Sequence, residues 1–265
     1  MRKPLTYAVA LAAAATLATG CDTSGPDQAA PAPSAPATTA PSAPVGDPSA
    51  APSGPTATEP TPTPSTGPNK LKSGAKGQEV LALQNRLTEL GYWNGEADGT
   101  FGSLTQQAVY ALQKAADLTR DGVVGPKTQK ALDQGVRPKA QSGSGRVIEI
   151  NKKRQLLMLV DDGEVTQVFN TSTGSYEQYE SNGHTAVAAT PSGKFKVYRH
   201  IDGWRNAPLG MLWRPKYFNG GIAVHGASSV PPYPASHGCA RLSISAMNHL
   251  WSGDKIPLKT KVWVY

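Results

Sequence analysis

Thirteen of the chain's 23 prolines fall within residues 22–69, a stretch whose only large aliphatic side chain is Val45. The rest of that segment is mostly Ala, Ser and Thr, with four acids and no Lys or Arg. Such a composition has too little apolar surface to offset the entropy of ordering the chain, and it favours extended polyproline II backbone. Folded structure is therefore confined to about residues 70–265 of this 265-residue chain. At about 3.1 Å per residue the proline-rich segment reaches at most about 150 Å, the reach of a tether. No second long apolar run follows residue 20, which excludes a polytopic helical membrane protein. Two cysteines, Cys21 and Cys239, exclude a disulfide scaffold.

The N-terminus reads as an address. Arg2 and Lys3 precede an apolar run over residues 5–18, then small Thr19 and Gly20, then Cys21. Residues 1–20 are expected to be a secretory signal peptide. A cysteine directly after small residues resembles a bacterial lipoprotein signal, in which Cys21 carries the lipid. The pattern departs at Ala18, where relatives have Leu. Cleavage elsewhere and an uncleaved anchor are the alternatives. If Cys21 is lipidated, Cys239 is the only remaining thiol of an exported protein, and an unpaired cysteine there is commonly reactive.

Beyond the tether (residues 21–70) the pattern changes. Val80, Leu83, Leu87 and Leu90 recur at helical spacing and Gly91 stops the run. Ser103 with Gln106 has the form of a capping box opening a second helix, and Gly125-Pro126 opens a third. Two Asp-Gly turns, at Asp98-Gly99 and Asp121-Gly122, precede helices two and three; they lack the alternating acids of a calcium loop. The series Gly77-Gln78-Glu79-Val80, Leu83-Gln84, Leu90-Gly91-Tyr92, Asp98-Gly99, Phe101-Gly102, Leu112-Gln113, Asp121-Gly122 and Val124-Gly125 resembles the peptidoglycan-binding type 1 module. The resemblance covers residues 71–135 and implies a three-helix bundle with affinity for cell-wall glycopeptide. Tyr92, Trp93 and Asp98 are candidate contacts, on the expectation of exposed aromatic and turn character.

After a Gly/Ser break at residues 141–145 the period becomes that of strands. Runs at 147–150, 155–160 and 165–169 are apolar or β-branched, with the hairpin signal Asp162-Gly163 between the last two. Residues 194–200 alternate, 222–224 form a short buried run, Ser243 caps a short helix, and 262–265 read as a closing strand. Residues 146–265 are thus expected to form a β-dominated domain. They hold 14 Lys and Arg against 8 Asp and Glu, which favours anionic partners. The charges are scattered except for Lys152-Lys153-Arg154, so nucleic acid is excluded as a partner class.

The densest chemistry is late: Gly221-Ile222-Ala223-Val224-His225-Gly226, then Ser236-His237-Gly238-Cys239-Ala240-Arg241. A thiolate is a strong nucleophile and free cysteine is mostly protonated, so it needs a base. His225 ends an apolar run and should be fixed at a strand end, leaving a reactive thiolate–imidazolium pair with Cys239. Gly226 allows a carbonyl to hold the tautomer of the ring. Gly238 permits an unusual turn, and N–H groups around it suit an oxyanion hole. Arg241 suits a carboxylate. A zinc site from His225, His237 and Cys239 lacks a fourth ligand and leaves a cramped His-x-Cys pair; no metal or cofactor is expected.

These motifs resemble the L,D-transpeptidase catalytic domain (YkuD type), with a β-sandwich-like fold over residues 146–265. The resemblance implies that Cys239 attacks a peptidoglycan tetrapeptide stem, expels D-Ala and forms a thioester that a neighbouring stem's amine resolves into a 3→3 cross-link. It further implies His225 as base and then acid, the Gly226 carbonyl orienting it, and N–H groups of His237, Gly238 and Cys239 polarising the scissile carbonyl. Ser236 and His237 shape the loop, and Arg241 supports the site or the stem carboxylate. Only ten residues separate His225 from Ser236, so residues 227–235, with Pro231, Pro232 and Pro234, make a short stiff loop. Trp204, Trp213 and Tyr217 are candidates for either cleft or core. The expected architecture is multidomain: an envelope protein, lipid-anchored to the membrane at Cys21, whose partners are the glycan strands and stems of peptidoglycan. An L,D-carboxypeptidase and a non-catalytic wall-binding lipoprotein are the competing readings. A cysteine peptidase of the NlpC type has Cys before His in the chain, the reverse of the order here.

Overall fold

A computed structural model describes residues 70–181 and 183–265. The expected signal peptide, Cys21 and the tether through residue 69 lie outside the described residues.

Three helices come first: α1 (Gln78–Glu89), α2 (Ser103–Ala115) and α3 (Pro126–Asp133). Helix α1 buries Val80, Leu83 and Leu87 on one face. It stops where the sequence pattern places the stop. Gly91 takes φ +81°, its N–H donates to the Thr88 carbonyl, and that of Tyr92 donates to Leu87. This satisfies carbonyls that a helix end leaves free. The capping box at Ser103 does not form. Ser103 is the first residue of α2 and Gly102 takes the N-cap place, with no side-chain cap bond. Pro126 occupies the first turn of α3, where its missing N–H costs nothing.

The two Asp-Gly turns are held by one device used twice. Buried Gln84 donates to Asp98 Oδ1, Thr100 O and Thr105 Oγ1 and accepts from the N–H groups of Asp98 and Gly99. Buried Gln113 donates to Asp121 Oδ1, Val123 O and Thr128 Oγ1 and accepts from Gly122 N–H. Asp98 sits exposed in its turn, as expected, with Oδ1 accepting from Gln84 and from Thr100 N–H. Tyr92 is not the exposed aromatic expected of it: its ring is fully buried and its hydroxyl donates to Val136 O. Trp93 is half-buried and packs against Phe169 and His249 of the following region, at centroid separations of 5.9 and 5.1 Å.

The remaining chain is β-rich. Its elements are β1 (Arg146–Asn151), β2 (Leu156–Asp161), β3 (Glu164–Asn170), β4 (Gln178–Ser181), β5 (His184–Val187), β6 (Gly193–Lys196), β7 (Arg199–His200), β8 (Trp204–Ala207), β9 (Gly210–Asn219), β10 (Ile222–Ala227), β11 (Ala240–Ser243), α4 (Ile244–Ser252) and β12 (Lys261–Val264). One sheet runs β3-β2-β1-β12-β6, with β1 and β12 parallel. A second runs β11-β10-β9-β7, with β8 also on β9 and with β10 and β11 parallel. Strands β4 and β5 form a separate hairpin. The Asp162-Gly163 turn joins β2 to β3 with both residues at positive φ, as a tight hairpin requires. Ser243 caps α4 by accepting from Ala246 N–H. The alternating run at 194–200 splits between β6 and β7, so the chain changes sheet within it.

Strand β2 explains how the parts fit. Side chains alternate faces along a strand. Leu157 and Leu159 pack in a core with Ile148, Phe218, Val224, Leu242 and Met247, which joins the two sheets and α4. Leu156, Met158 and Val160 point the other way, into a core with Leu87, Tyr92, Phe101, Val109 and Leu112 of the helical region. The unbroken apolar run Leu156-Leu157-Met158-Leu159-Val160 is therefore buried on both faces. The helical region also covers the sheet edge: Val168 N–H donates to Gly91 O, and Trp93 N–H donates to Val168 O.

Candidate active site

The sheet register brings the two late motifs together. Parallel strands β10 and β11 set His225 opposite Arg241 and Val224 opposite Ala240. Cys239 precedes β11 by one residue, and its sulfur accepts from Ala223 N–H at 3.4 Å. The imidazole of His225 is buried, and its Nδ1 lies 2.9 Å from the Gly226 carbonyl. A carbonyl only accepts, so Nδ1 carries the proton and Nε2 is left as the basic nitrogen. Gly226 is required sterically as well: a Cβ there would lie 2.8 Å from Trp213 Cδ1 and 3.2 Å from Met247 Cβ.

The turn before the thiol is closed by Ser236. Its hydroxyl donates to Cys239 O at 2.6 Å and accepts from Gly238 N–H at 3.0 Å. Gly238 takes φ +137°, and a Cβ there would lie 2.9 Å from Ala189 O. The glycine thus serves a strained turn against neighbouring backbone. Its N–H is spent on Ser236 and does not join the expected oxyanion hole. His237 is exposed, edge-on to the Tyr179 ring of β4 at 4.8 Å.

Burial sets the electrostatics. It pushes His225 down to about 4; the Gly226 bond opposes this and the Arg241 charge adds to it. Burial also pushes the Cys239 thiol up, against the Ala223 N–H bond and Arg241, which favour the thiolate. Both shifts favour the neutral forms. Burial thus works against the ion pair expected from the sequence.

Cys239, His225, Ser236, His237 and Arg241 all line one cavity of about 1000 Å³. Its rim includes the β4–β5 hairpin and the β8–β9 hairpin, whose Trp204, Leu209 and Met211 are exposed. Among the described residues three arginines line it (Arg199, Arg205 and Arg241) and no carboxylate does. Arg199 lies 4.1 Å over the Tyr217 ring, which fixes its direction. Of the three aromatics left open by sequence, Trp204 and Tyr217 line the cavity, while Trp213 packs behind Gly226. Sequence reasoning missed Arg199, Arg205 and Thr190; the last bonds Gly238 from the Ala-Thr-Pro turn, which carried no catalytic pattern. Among the described residues no group of three or more His, Cys, Asp and Glu gathers as a metal site.

Comparison with known proteins agrees with this geometry. Residues 76–132 match the peptidoglycan binding domain model, and residues 145–264 match the L,D-transpeptidase catalytic domain, YkuD. The crystal structure of the L,D-transpeptidase (residues 123–326) from Xylanimonas cellulosilytica DSM 15894 is 54% identical with a TM-score of 0.74, over 75% of this chain and 98% of that one. The N-acetylmuramoyl-L-alanine amidase CwlL of Bacillus licheniformis is 46% identical over 79 residues, 29% of this chain and 22% of that protein. The spore cortex-lytic enzyme of Oceanobacillus iheyensis is 31% identical over 124 residues, 46% of this chain and 44% of that protein. The chain spans less than half the length of these curated relatives. With a β-rich domain so matched and a helical peptidoglycan-binding region before it, the chain belongs to the L,D-transpeptidase family of the YkuD type.

Proposed function

We propose that this protein is a cell-wall L,D-transpeptidase that makes 3→3 cross-links through a Cys239 thioester. The observation that carries the reading is that Cys239 and His225 line the same cavity, with His225 Nδ1 held by the Gly226 carbonyl. His225 Nε2 takes the Cys239 proton as the sulfur attacks the carbonyl joining the third stem residue to D-Ala. N–H groups of His237 and Cys239 face the developing oxyanion. The tetrahedral adduct collapses, the C–N bond breaks, and His225 returns the proton to the departing D-Ala amine. An amine from a second stem then attacks the thioester, gives its proton to His225, and displaces the thiol.

The arginine-lined, carboxylate-free cavity suits a stem, which carries several carboxylates. In this reading Arg241 supports the site, and Ser236 with Gly238 holds the turn. Residues 71–135, as a three-helix bundle, bind wall polymer, while residues 146–265 do the chemistry. Holding the enzyme on polymer raises the local stem concentration. A signal peptide and lipidated Cys21 place the protein on the outer side of the membrane, and the proline-rich tether lets it reach the wall.

Mass spectrometry of residues 70–265 with purified disaccharide-tetrapeptide tests this, beside Cys239→Ala. A dimer lighter than two substrates by one D-Ala, absent with the variant, is expected. Loss of D-Ala without dimer would replace the reading by an L,D-carboxypeptidase. Unchanged substrate with folded protein would leave a wall-binding lipoprotein.

A further inference from the structure

The helical region does more than lie against the sheet. Lys114, at the end of α2, is 1% exposed. Its Nζ bonds Gln155 O at 2.8 Å, Thr171 O at 3.0 Å, and Asn170 Oδ1. Three oxygens surround the nitrogen and none of them is a carboxylate, while burial, with the Arg120 charge adding to it, pushes the group down to about 6, so it is held by geometry rather than by charge pairing. An apolar side chain of similar length would fill the same space without burying a polar group. The three acceptors that Lys114 selects belong to the β-rich region.

Those acceptors lead directly to the thiol. Thr171, whose carbonyl Lys114 holds, donates its hydroxyl to Arg241 O at 2.8 Å, and the next carbonyl, Ser172 O, accepts from Arg241 N–H at 3.0 Å. Thr173 O accepts from both Ala235 and Ser236 N–H, each at 3.0 Å. Gln155, in the left-handed region at φ +60°, clamps Thr173 with its side chain, accepting from Thr173 N–H at 2.8 Å and donating to Thr173 Oγ1 at 2.7 Å. Residues 170–174 thus form a strip with Lys114 on one side and the Ser236–Arg241 backbone on the other.

A second route runs through the loop between the two motifs. Its prolines at 231, 232 and 234 have no N–H, so it is held by its carbonyls. Gln107 of α2 donates to Val230 O at 3.1 Å, Asn170 donates to the same oxygen and to Gln107 Oε1, and Arg120 donates to Pro232 O at 3.0 Å. The loop that carries the chain from His225 to Ser236 is pinned from the helical side.

We propose that Lys114, Gln107 and Arg120 are positioning residues of the catalytic centre, so that the helical region completes the site that Cys239 occupies. This rests on Cys239 being the nucleophile. It makes the helical region a part of the enzyme and not only an anchor. The strip and the loop set where the sulfur and the turn N–H groups stand, and displacements on the order of 1 Å in such groups cost about 100-fold in rate.

The test uses residues 70–265 with Lys114→Met, Gln107→Ala and Arg120→Ala. The control is Val80→Ala, which opens the same helical core without touching either route. Each is followed by kcat and KM on disaccharide-tetrapeptide, by the rate of Cys239 alkylation with iodoacetamide, and by melting. The expected result is kcat reduced about tenfold or more in Lys114→Met, with KM within about threefold and an altered alkylation rate. Gln107→Ala and Arg120→Ala should show smaller losses of the same kind, and Val80→Ala should melt lower with kcat kept. The proposal is overturned if the folded positioning variants match wild type in both kcat and alkylation, or if Val80→Ala loses kcat equally at equal destabilisation. Should Lys114→Met not fold, Gln107→Ala and Arg120→Ala decide by the same criteria. Turnover that survives Cys239→Ala would instead sink the nucleophile assignment, and the alkylation rates would still report on positioning.

Discussion

The hydroxyl of Thr190 donates to the Gly238 carbonyl at 2.6 Å while accepting from Gly174 N–H at 3.0 Å. One buried side chain therefore ties the turn before the thiol to the strip that supports it. Thr190→Val keeps the shape and removes both bonds, leaving a buried carbonyl and N–H unpaired. We expect a stability loss of about 1–3 kcal/mol in urea. The rate should fall with it, and Thr190→Ser should recover most of both.

Cys239→Ala removes the only free thiol among the described residues. In the proposed mechanism this thiol forms the acyl intermediate, so turnover should fall by more than about 10³-fold. Co-sedimentation with purified wall sacculi should not change. A folded variant that loses both would refute the division of labour between the two regions.

His225 gives the stability a defined pH dependence. Its pKa falls from 6.5 to about 4 on folding, chiefly by burial. Between those values the unfolded chain binds more protons than the native one, so stability rises with pH in that window. The contribution is complete above about pH 6.5 and lost as pH falls through about 4. The full difference is about 3 kcal/mol. Urea titrations at pH 7 and pH 4 should show it, and His225→Gln should shrink the difference. The same shift keeps Nε2 unprotonated in mild acid, so kcat/KM should stay level down to about pH 5 instead of halving near 6.5.

Gly226→Ala sets a methyl 2.8 Å from the Trp213 ring. Overpacking of this kind costs about 1–3 kcal/mol. It also shifts the carbonyl that orients His225, so activity should fall further than stability alone explains. Combining it with Trp213→Leu should regain stability more than rate.

Gln84→Leu strips the bonds that fold the Asp98-Gly99 turn and should cost about 2–3 kcal/mol. Because Leu156, Met158 and Val160 share a core with the helices, the whole described chain should melt in one transition. A separate, earlier melting of the helical region would contradict that.

Local signals in the sequence located α1 and its glycine stop, the proline that opens α3, the Asp162-Gly163 hairpin and the Ser243 cap, because each depends on a few adjacent residues. They failed at Ser103, where Gly102 supplies the extended N-cap backbone. They also failed at Tyr92, where burial was decided by a partner far along the chain, Val136. The strands β4, β5, β8 and β9 went unread because their burial is slight or irregular, as expected of hairpins that rim a cavity.

The late motifs alone marked Cys239, His225, Gly226, Ser236 and Arg241, since a thiol, an imidazole and fixed glycines at that spacing have few other uses. What those residues become was decided in three dimensions. Burial works against an ion pair between Cys239 and His225, and the Ser236 hydroxyl takes the Gly238 N–H. The arginines of the cavity and the Thr190 tie came from segments with no pattern of their own. Sequence periodicity reports which face of an element is apolar, and it cannot report what covers that face. Only the tertiary structure shows that the apolar run of β2 meets a sheet on one side and a helical region on the other, with Lys114 reaching across to hold the backbone behind Cys239.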